Sequence, residues 1–481
     1  MDEKVSVFSQ LNDEVSVSYN QNKKIEKDGY FLLLSPETGA WLTVTKQDME
    51  ILDLLHGTHE VGQLRKIKDS RVGAYIDELF YSGLLRINGK DVFMVNTKTK
   101  EESPELPLFW VLKYTTACNL RCAYCYSFDK KQSKRVDLSN DYIYRISDLV
   151  GETKEGNRLC LCFHGGEPLI RINEMKACVK ELRKRRKEDV EFTIQTNGTL
   201  LTRDVAKFLK EEDISVGISV DGFDANTNKL RLFANHHSSI TKTLDAINNC
   251  VEVGIRPGII SVMTNAIKDH TIEIINHLSE LGVKYFHFNH FIPSGRGENK
   301  ADDFSISTEE LLNIRTEILL HINDYNSHRI RSEHINERFT RNIIKRLIST
   351  NQLSYMCAQS PCGAGRKILT LNTNGDVFPC DDLGTCPKFK IGHINEIVNL
   401  KETLDTSAIV NMCQSHCVNN IQKCRECLYK KLCISHCCSD SYHYSGQFNN
   451  PHSACEFIQQ FIPLVIDLLY KGRIQVENLI D

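Results

Sequence analysis

The spacing of apolar positions changes character twice along this chain. In residues 1–95, short apolar runs are separated by turn residues. Tyr30-Phe31-Leu32-Leu33-Leu34 predicts a strand, Pro36-Glu37-Thr38-Gly39 a turn, and Ala40-Trp41-Leu42-Thr43-Val44 a second strand. Thr45 then caps a predicted helix with Ile51, Leu52, Leu54 and Leu55 on one face. A second helix presents Ala74, Tyr75, Leu79 and Phe80, and Leu84-Leu85-Arg86-Ile87 returns as a short strand. Residues 96–107 are polar, contain Pro104 and Pro107, and read as a linker.

From residue 108 to 300 the rhythm becomes strand, helix, strand. Predicted strands fall at 109–115, 159–163, 190–196, 214–220, 258–263 and 284–290, with helical patterns between them. That alternation predicts an α/β fold, a parallel sheet with helices outside. Residues 301–355 are charged and helical, a bridge. Residues 356–481 form a cysteine-rich region that ends in an amphipathic helix from about Cys455 to Tyr470.

Composition narrows the function classes. The 481 residues, 41% hydrophobic and 25% charged, have room for about three domains of ~150 residues. A net charge of −3 argues against nucleic acid as the main partner. The basic run Arg183-Lys184-Arg185-Arg186-Lys187 ends an apolar-periodic helix, where the helix dipole favours cations. No apolar stretch reaches ~18 residues, so no membrane span is expected. Met1-Asp2-Glu3-Lys4 lacks the pattern of a signal peptide, and a cytoplasmic location is expected. Nineteen cysteines there point to metal ligation rather than disulfides, and twelve of them follow residue 356. Cys160, Cys162, Cys178 and Cys250 lie in apolar-periodic segments and are expected as small core residues.

Cys118, Cys122 and Cys125 have the spacing C-x3-C-x2-C. Three thiolates on one loop can hold three irons of a 4Fe–4S cube and leave the fourth without a protein ligand. Closed clusters and structural zinc sites take four ligands. On spacing alone, a zinc knuckle or a redox pair is the alternative. Gly165-Gly166-Glu167-Pro168 follows the second predicted strand, Gln195-Thr196-Asn197-Gly198 ends the third, and Ile218-Ser219-Val220-Asp221-Gly222 ends the fourth.

These motifs, in this order, resemble the radical S-adenosylmethionine (SAM) enzymes. The resemblance implies a partial six-unit (β/α) barrel with its chemistry at the C-terminal strand ends. It implies that SAM is held by the open iron and cleaved by one electron to a 5′-deoxyadenosyl radical. Gly165, Gly166 and Glu167 would meet the methionine ammonium, and Tyr124 the adenine. Asn197, Ser219 and Asp221 would face the ribose and carboxylate, and Arg231 would pair with the carboxylate. Plain loop hydrogen bonding is the alternative role for Ser219, Asp221 and Arg231. The chain departs from relatives around Arg231, with Thr227-Asn228 where His-Asp is common and His236-His237 where Gly-x-Gly is common.

In the C-terminal region, Cys362, then Gly375 and Cys380, then Cys424-x2-Cys427-x5-Cys433-x3-Cys437 and Cys455 resemble the SPASM domain. Asn374-Gly375 is a hairpin signal between 367–372 and 376–379. The resemblance implies two auxiliary 4Fe–4S clusters, three in all. The inner would use Cys362, Cys380 and Cys437, with Cys357 as fourth ligand or an iron left open. The outer would use Cys424, Cys427, Cys433 and Cys455. Cys386, Cys413, Cys417 and Cys438 are left over, and a four-thiolate zinc site is the alternative. Asp381, beside Cys380, takes the place of a general base in the sulfatase-maturing branch. A solvated acid is the alternative.

The first 95 residues resemble the winged-helix-like domain that binds leader peptides in peptide-modifying enzymes. The whole implies a maturase of a ribosomally made precursor peptide, fed by an electron donor such as flavodoxin or ferredoxin. Thioether formation is the favoured product, and carbon–carbon or carbon–oxygen crosslinking the second. Formylglycine formation on a sulfatase and a non-catalytic electron-transfer protein are the other readings.

Overall fold

A computed structural model describes residues 6–19, 23–91, 106–127, 134–153, 157–349, 353 and 355–480. Up to residue 105 the expected linker lies outside them. The chain divides into two units. The smaller comprises 1–103 with 346–351 and 422–433, and the larger comprises 104–345, 352–421 and 434–481.

In the smaller unit, Lys23–Lys27, Tyr30–Leu34 and Trp41–Thr45 form an antiparallel meander. A second sheet orders His59–Glu60, Ser16–Tyr19, Leu85–Ile87 and Lys90–Asp91, of which only the third was expected. The first predicted helix, Met49–Leu54, starts later than expected and follows a short helix at Val7–Gln10. Thr45 closes the preceding strand, and its hydroxyl bonds Asp48 at 2.5 Å. Leu54 is exposed, while Ile51, Leu52 and Leu55 are buried. In the helix Arg71–Ser82 the buried face is Val72, Ile76 and Leu79, and Ala74 is exposed. The predicted stripe was displaced because Val72 and Ile76 form the better-buried i, i+4 pair.

The larger unit is built on the expected barrel sheet. Six parallel strands, Phe109–Thr115, Leu159–Gly165, Val190–Thr196, Ile214–Ser219, Gly258–Met263 and Tyr285–His290, pair in sequence order. Helices Asn140–Val150, Ile172–Arg186, Arg203–Glu211, Ile240–Glu252 and Thr271–Glu280 connect them. Alternate strand residues such as Leu161, Phe163, Phe192, Ile194, Val216 and Ile218 are buried, as are helix residues such as Met175, Leu182 and Ile247. The intervening positions are smaller or polar and line a cavity of about 690 Å³ that includes Cys162, His164, Gln195, Gly217 and His287. Cys178 and Cys250 are buried as expected, but Cys160 and Cys162 are half-buried on these intervening positions.

Two additions extend the sheet. Asn336–Glu337, inside the segment expected to be a purely helical bridge, adds a parallel strand beside Tyr285–His290. At the other edge, Ile368–Leu371 pairs in parallel with Phe109–Thr115, and Asp376–Phe378 and Gly392–His393 continue it antiparallel. The expected hairpin is therefore part of the barrel sheet. The helix Cys455–Tyr470 buries Phe457, Ile458, Phe461, Ile462, Val465 and Ile466. Among the described residues, no helix is long and apolar enough to cross a membrane.

Candidate active site

The three-cysteine loop begins directly after the first barrel strand and is held by backbone bonds from three segments. Gly166 N donates to Thr115 O and Glu167 N to Ala117 O, both at 2.7 Å. Arg121 N donates to Leu232 O at 2.7 Å and Ala123 N to Leu230 O at 2.9 Å. Arg296 N donates to Cys125 O at 2.9 Å, and its guanidinium reaches Cys122 O at 3.2 Å. A Cβ on Gly166 would collide with Ala117 O, and one on Gly295 with Cys125 O. The Gly165-Gly166 pair thus also permits close contact between two backbone segments.

Glu167 is fully buried. Its Oε1 accepts from Thr196 Oγ1 at 2.6 Å and Leu169 N at 3.1 Å, and its Oε2 from Asn197 N at 2.8 Å. A carboxylate offers about four acceptor positions, so three are already committed inside the chain. Burial raises its pKa, opposed by those donors. Asn197 carries the connection to the loop: its Nδ2 lies 2.9 Å from Asn119 Oδ1 and 3.8 Å from Cys118 Sγ. Leu120 N lies 3.4 Å from the same sulfur.

Tyr124, Asp221 and Arg231 converge in one buried group. Tyr124 OH donates to Asp221 Oδ2 and accepts from Arg231 at 2.9 Å. Val262 N completes Asp221 at 3.1 Å. Asn228, one of the departures from relatives, accepts from Asp221 N at 3.1 Å and is fully buried. The other departure forms a small hairpin in which Phe233 N donates to His237 O at 2.9 Å and His236 sits at φ +65°. Phe233 also bridges to Leu120 of the cysteine loop. Ser219 Oγ accepts from Gln195 Nε2 at 2.8 Å.

Burial pushes the Cys118 thiol up to about 12, with Glu167 and the neighbouring cysteines adding to it. A thiolate there needs a compensating positive charge, which bound iron supplies. The donor set fits a 4Fe–4S cluster with one open iron: three soft thiols within eight residues, and N–H groups next to Cys118 Sγ.

Asp381 is ion-paired with Lys113 at 2.5 Å and accepts from Tyr126 OH, the residue after Cys125. Burial acts to raise its pKa, but Lys113, His164 and Tyr126 hold it at about 2. Its neighbour Asp382 is raised to about 7 by burial and by the Asp381 charge. His164 is lowered to about 4 by burial, and its Nδ1 accepts from Gly165 N at 2.7 Å. Lys113, Tyr126, His164 and Arg296 were not anticipated. One signal was legible, a lysine inside the apolar strand Phe109–Thr115.

In the C-terminal region, Cys362 lies close enough to Cys380 and to Cys437 for their charges to interact, and Cys357 joins Cys362 and Cys437. Cys357 is exposed, Cys362 buried, and Cys380 and Cys437 half-buried. Cys437 caps the helix Cys438–Ser445, its sulfur accepting from Asp440 N at 3.5 Å. Cys424, Cys427 and Cys433 fall in the smaller unit and Cys455 in the larger.

Residues 112–281 match the model of the Radical SAM superfamily. The chain therefore carries a radical SAM domain over those residues, and that domain implies SAM and one 4Fe–4S cluster as cofactors. A cysteine-type anaerobic sulfatase-maturating enzyme of Clostridium novyi (strain NT) is 24% identical over 351 residues, 72% of this chain and 91% of that protein. The structure of native anSMEcpe with bound AdoMet superposes with a TM-score of 0.64 at 18% identity, covering 76% of this chain and 99% of that one. Streptococcus suis SuiB bound to the precursor peptide SuiA superposes with a TM-score of 0.54 at 15% identity, covering 92% and 99%. Both share the fold.

Proposed function

We propose that this enzyme matures a ribosomally made precursor peptide by joining a cysteine sulfur to a carbon of another residue. The observation that carries the reading is the joint between the two cysteine regions of the larger unit. Tyr126 follows the last loop cysteine, Asp381 follows Cys380, and the two side chains are hydrogen-bonded. A substrate held there lies beside both. SuiB was solved with a precursor peptide and matches 92% of this chain, whereas anSMEcpe matches 76%. The wider match favours a peptide whose leader is bound by residues 1–95, as an added strand on a sheet edge.

When bound, SAM and a cluster on Cys118, Cys122 and Cys125 supply a deoxyadenosyl radical, and iron–sulfur centres on the later cysteines supply an electron acceptor and a thiolate-binding position. The chain's own residues position and exclude. Arg231 and Asp221, locked through Tyr124, offer fixed charge for the SAM carboxylate and ribose, with Ser219 and Asn197 beside them. Glu167 has one acceptor position left for the methionine ammonium. Asp381, ion-paired and held at about 2, is a weak proton acceptor at neutral pH. We therefore assign it the orientation of Tyr126 and Lys113 in place of the expected base role. Cys362, Cys380, Cys437 and Cys357 form the inner auxiliary set. The outer set of Cys424, Cys427, Cys433 and Cys455 rests on its spacing. An external donor such as flavodoxin or ferredoxin supplies the electron.

Mass spectrometry of precursor treated with enzyme, SAM and reductant tests the reading. A thioether gives loss of two hydrogens and protects one cysteine per crosslink from alkylation. Hydrogen loss with every cysteine still alkylated would replace it with carbon–carbon or carbon–oxygen crosslinking. The match across 91% of a sulfatase-maturating enzyme supports formylglycine formation as a second reading. That product would lose its sulfur and react with aldehyde probes.

A further inference from the structure

Cys386, Cys413, Cys417 and Cys438 have no place in the ligand sets above, yet two of them pack against a proposed ligand. Cys438 Sγ lies 3.4 Å from Cys362 Sγ. That is far longer than a disulfide at about 2.05 Å and within reach of an S–H···S hydrogen bond. Cys413 in turn hydrogen-bonds Cys438. Cys362, Cys438 and Cys413 are 5%, 1% and 0% exposed, in one apolar cluster with Phe378, Leu383 and Phe389. Backbone N–H groups of Ala364 and Cys438 also reach Cys362 Sγ. Local sequence explains the placement. Cys437 is the cap and Cys438 the first residue of one helix, so a proposed ligand and a surplus thiol enter the inner set side by side.

We propose that Cys438 is a positioning residue whose thiol donates a hydrogen bond to Cys362 Sγ when that sulfur carries iron, with Cys413 orienting the donor. This rests on the reading that Cys362 is an inner auxiliary ligand. Hydrogen bonds to cluster sulfurs stabilise the more negative, reduced state and so raise the reduction potential. The surplus thiols would thereby make the inner auxiliary cluster a better electron acceptor.

The test is an EPR-monitored redox titration of anaerobically reconstituted full-length protein, with iron counted in parallel. Cys438→Ala should keep the wild-type iron content. At the wild-type midpoint, the reduced-to-oxidised ratio of one cluster should fall about tenfold, a shift of about 59 mV for a one-electron couple. The other signals should not move. Cys438→Ser, whose hydroxyl can donate, should restore part of the shift, and Cys413→Ala should give a smaller shift of the same sign. Cys438→Val, which leaves no cavity and cannot donate, carries the test if the alanine variant fails to fold. An unmoved midpoint at full iron overturns the hydrogen bond. Loss of about four irons in Cys438→Ala also overturns it, making Cys438 a ligand. Cys362→Ala separates the two claims: full iron in that variant would remove the ligand assignment itself.

Discussion

The loop cysteines and the proposed inner auxiliary cysteines would reach the same kind of chemistry by opposite routes. Cys118, Cys122 and Cys125 lie within eight residues, and their positions are set by main-chain bonds to Gly166–Glu167, Leu230–Leu232 and Arg296. The Cys118 sulfur meets two N–H donors. Cys357, Cys362, Cys380 and Cys437 come from segments up to eighty positions apart and are gathered by a hairpin, a helix cap and an apolar cluster of aromatics and further cysteines. The first arrangement is a preformed cradle. The second is a piece of core in which the proposed ligands are also packing side chains. Removing ligands should therefore cost the loop its chemistry and the C-terminal region its stability.

The sharpest break of that contrast is a pair of triple variants. Cys118→Ala, Cys122→Ala and Cys125→Ala together should abolish deoxyadenosine formation and remove about a third of the iron, with little change in melting temperature. The matching change of Cys362, Cys380 and Cys437 should retain uncoupled SAM cleavage, lose peptide product and melt much earlier. Equal melting temperatures would refute the distinction.

A smaller effect probes the cradle directly. In Gly166→Ala, the added methyl meets a carbonyl oxygen that cannot move without the cysteine loop. A loss of about 3 kcal/mol in denaturant unfolding is expected, with SAM affinity falling in step. Unchanged SAM affinity would show that the loop is set by other contacts.

Next in size is the acid side of the stability profile. His164 is lowered from 6.5 to about 4. The unfolded chain therefore binds that proton first. The corresponding stability is fully present above pH 6.5 and is lost as pH falls towards 4, up to about 3 kcal/mol. His164→Gln should flatten that part of the curve, measured by chemical denaturation across pH.

The smallest change concerns the hairpin behind the loop. His236 occupies the left-handed region that glycine enters without a steric cost. His236→Gly should stabilise by about 0.5 kcal/mol and leave SAM binding unaltered. A destabilised variant would mean that the imidazole makes contacts that matter more than the backbone conformation.

The same contrast explains what could be read in advance. All six barrel strands were visible because a buried parallel strand is a local apolar run, and the three-cysteine loop because its ligands are neighbours in sequence. The Tyr124–Asp221–Arg231 group was reached as three separate residues. Their mutual bonds depend on a loop that folds back 97 and 107 positions onto the cysteine segment. The Lys113–Asp381–Tyr126 contact joins residues more than 250 apart, and no periodicity reports such a meeting. Two helix faces in the smaller unit were misplaced by a residue or two, where short apolar runs allow more than one stripe.

The parallel pairing of Ile368 with Phe109, 259 positions away, has a consequence for biosynthesis. At a ribosomal rate of roughly 5–20 residues per second, the outer edge of the first barrel strand waits about 13–50 seconds for its neighbour to emerge. During that interval an apolar strand carries unpaired amides, a template for association with other nascent chains. The three-cysteine loop hangs from the same strand and would stay accessible to iron–sulfur delivery factors over the same period. Closing the edge and loading the metal thus become competing events in time, and a slower-translated message should yield a larger fraction of iron-loaded enzyme.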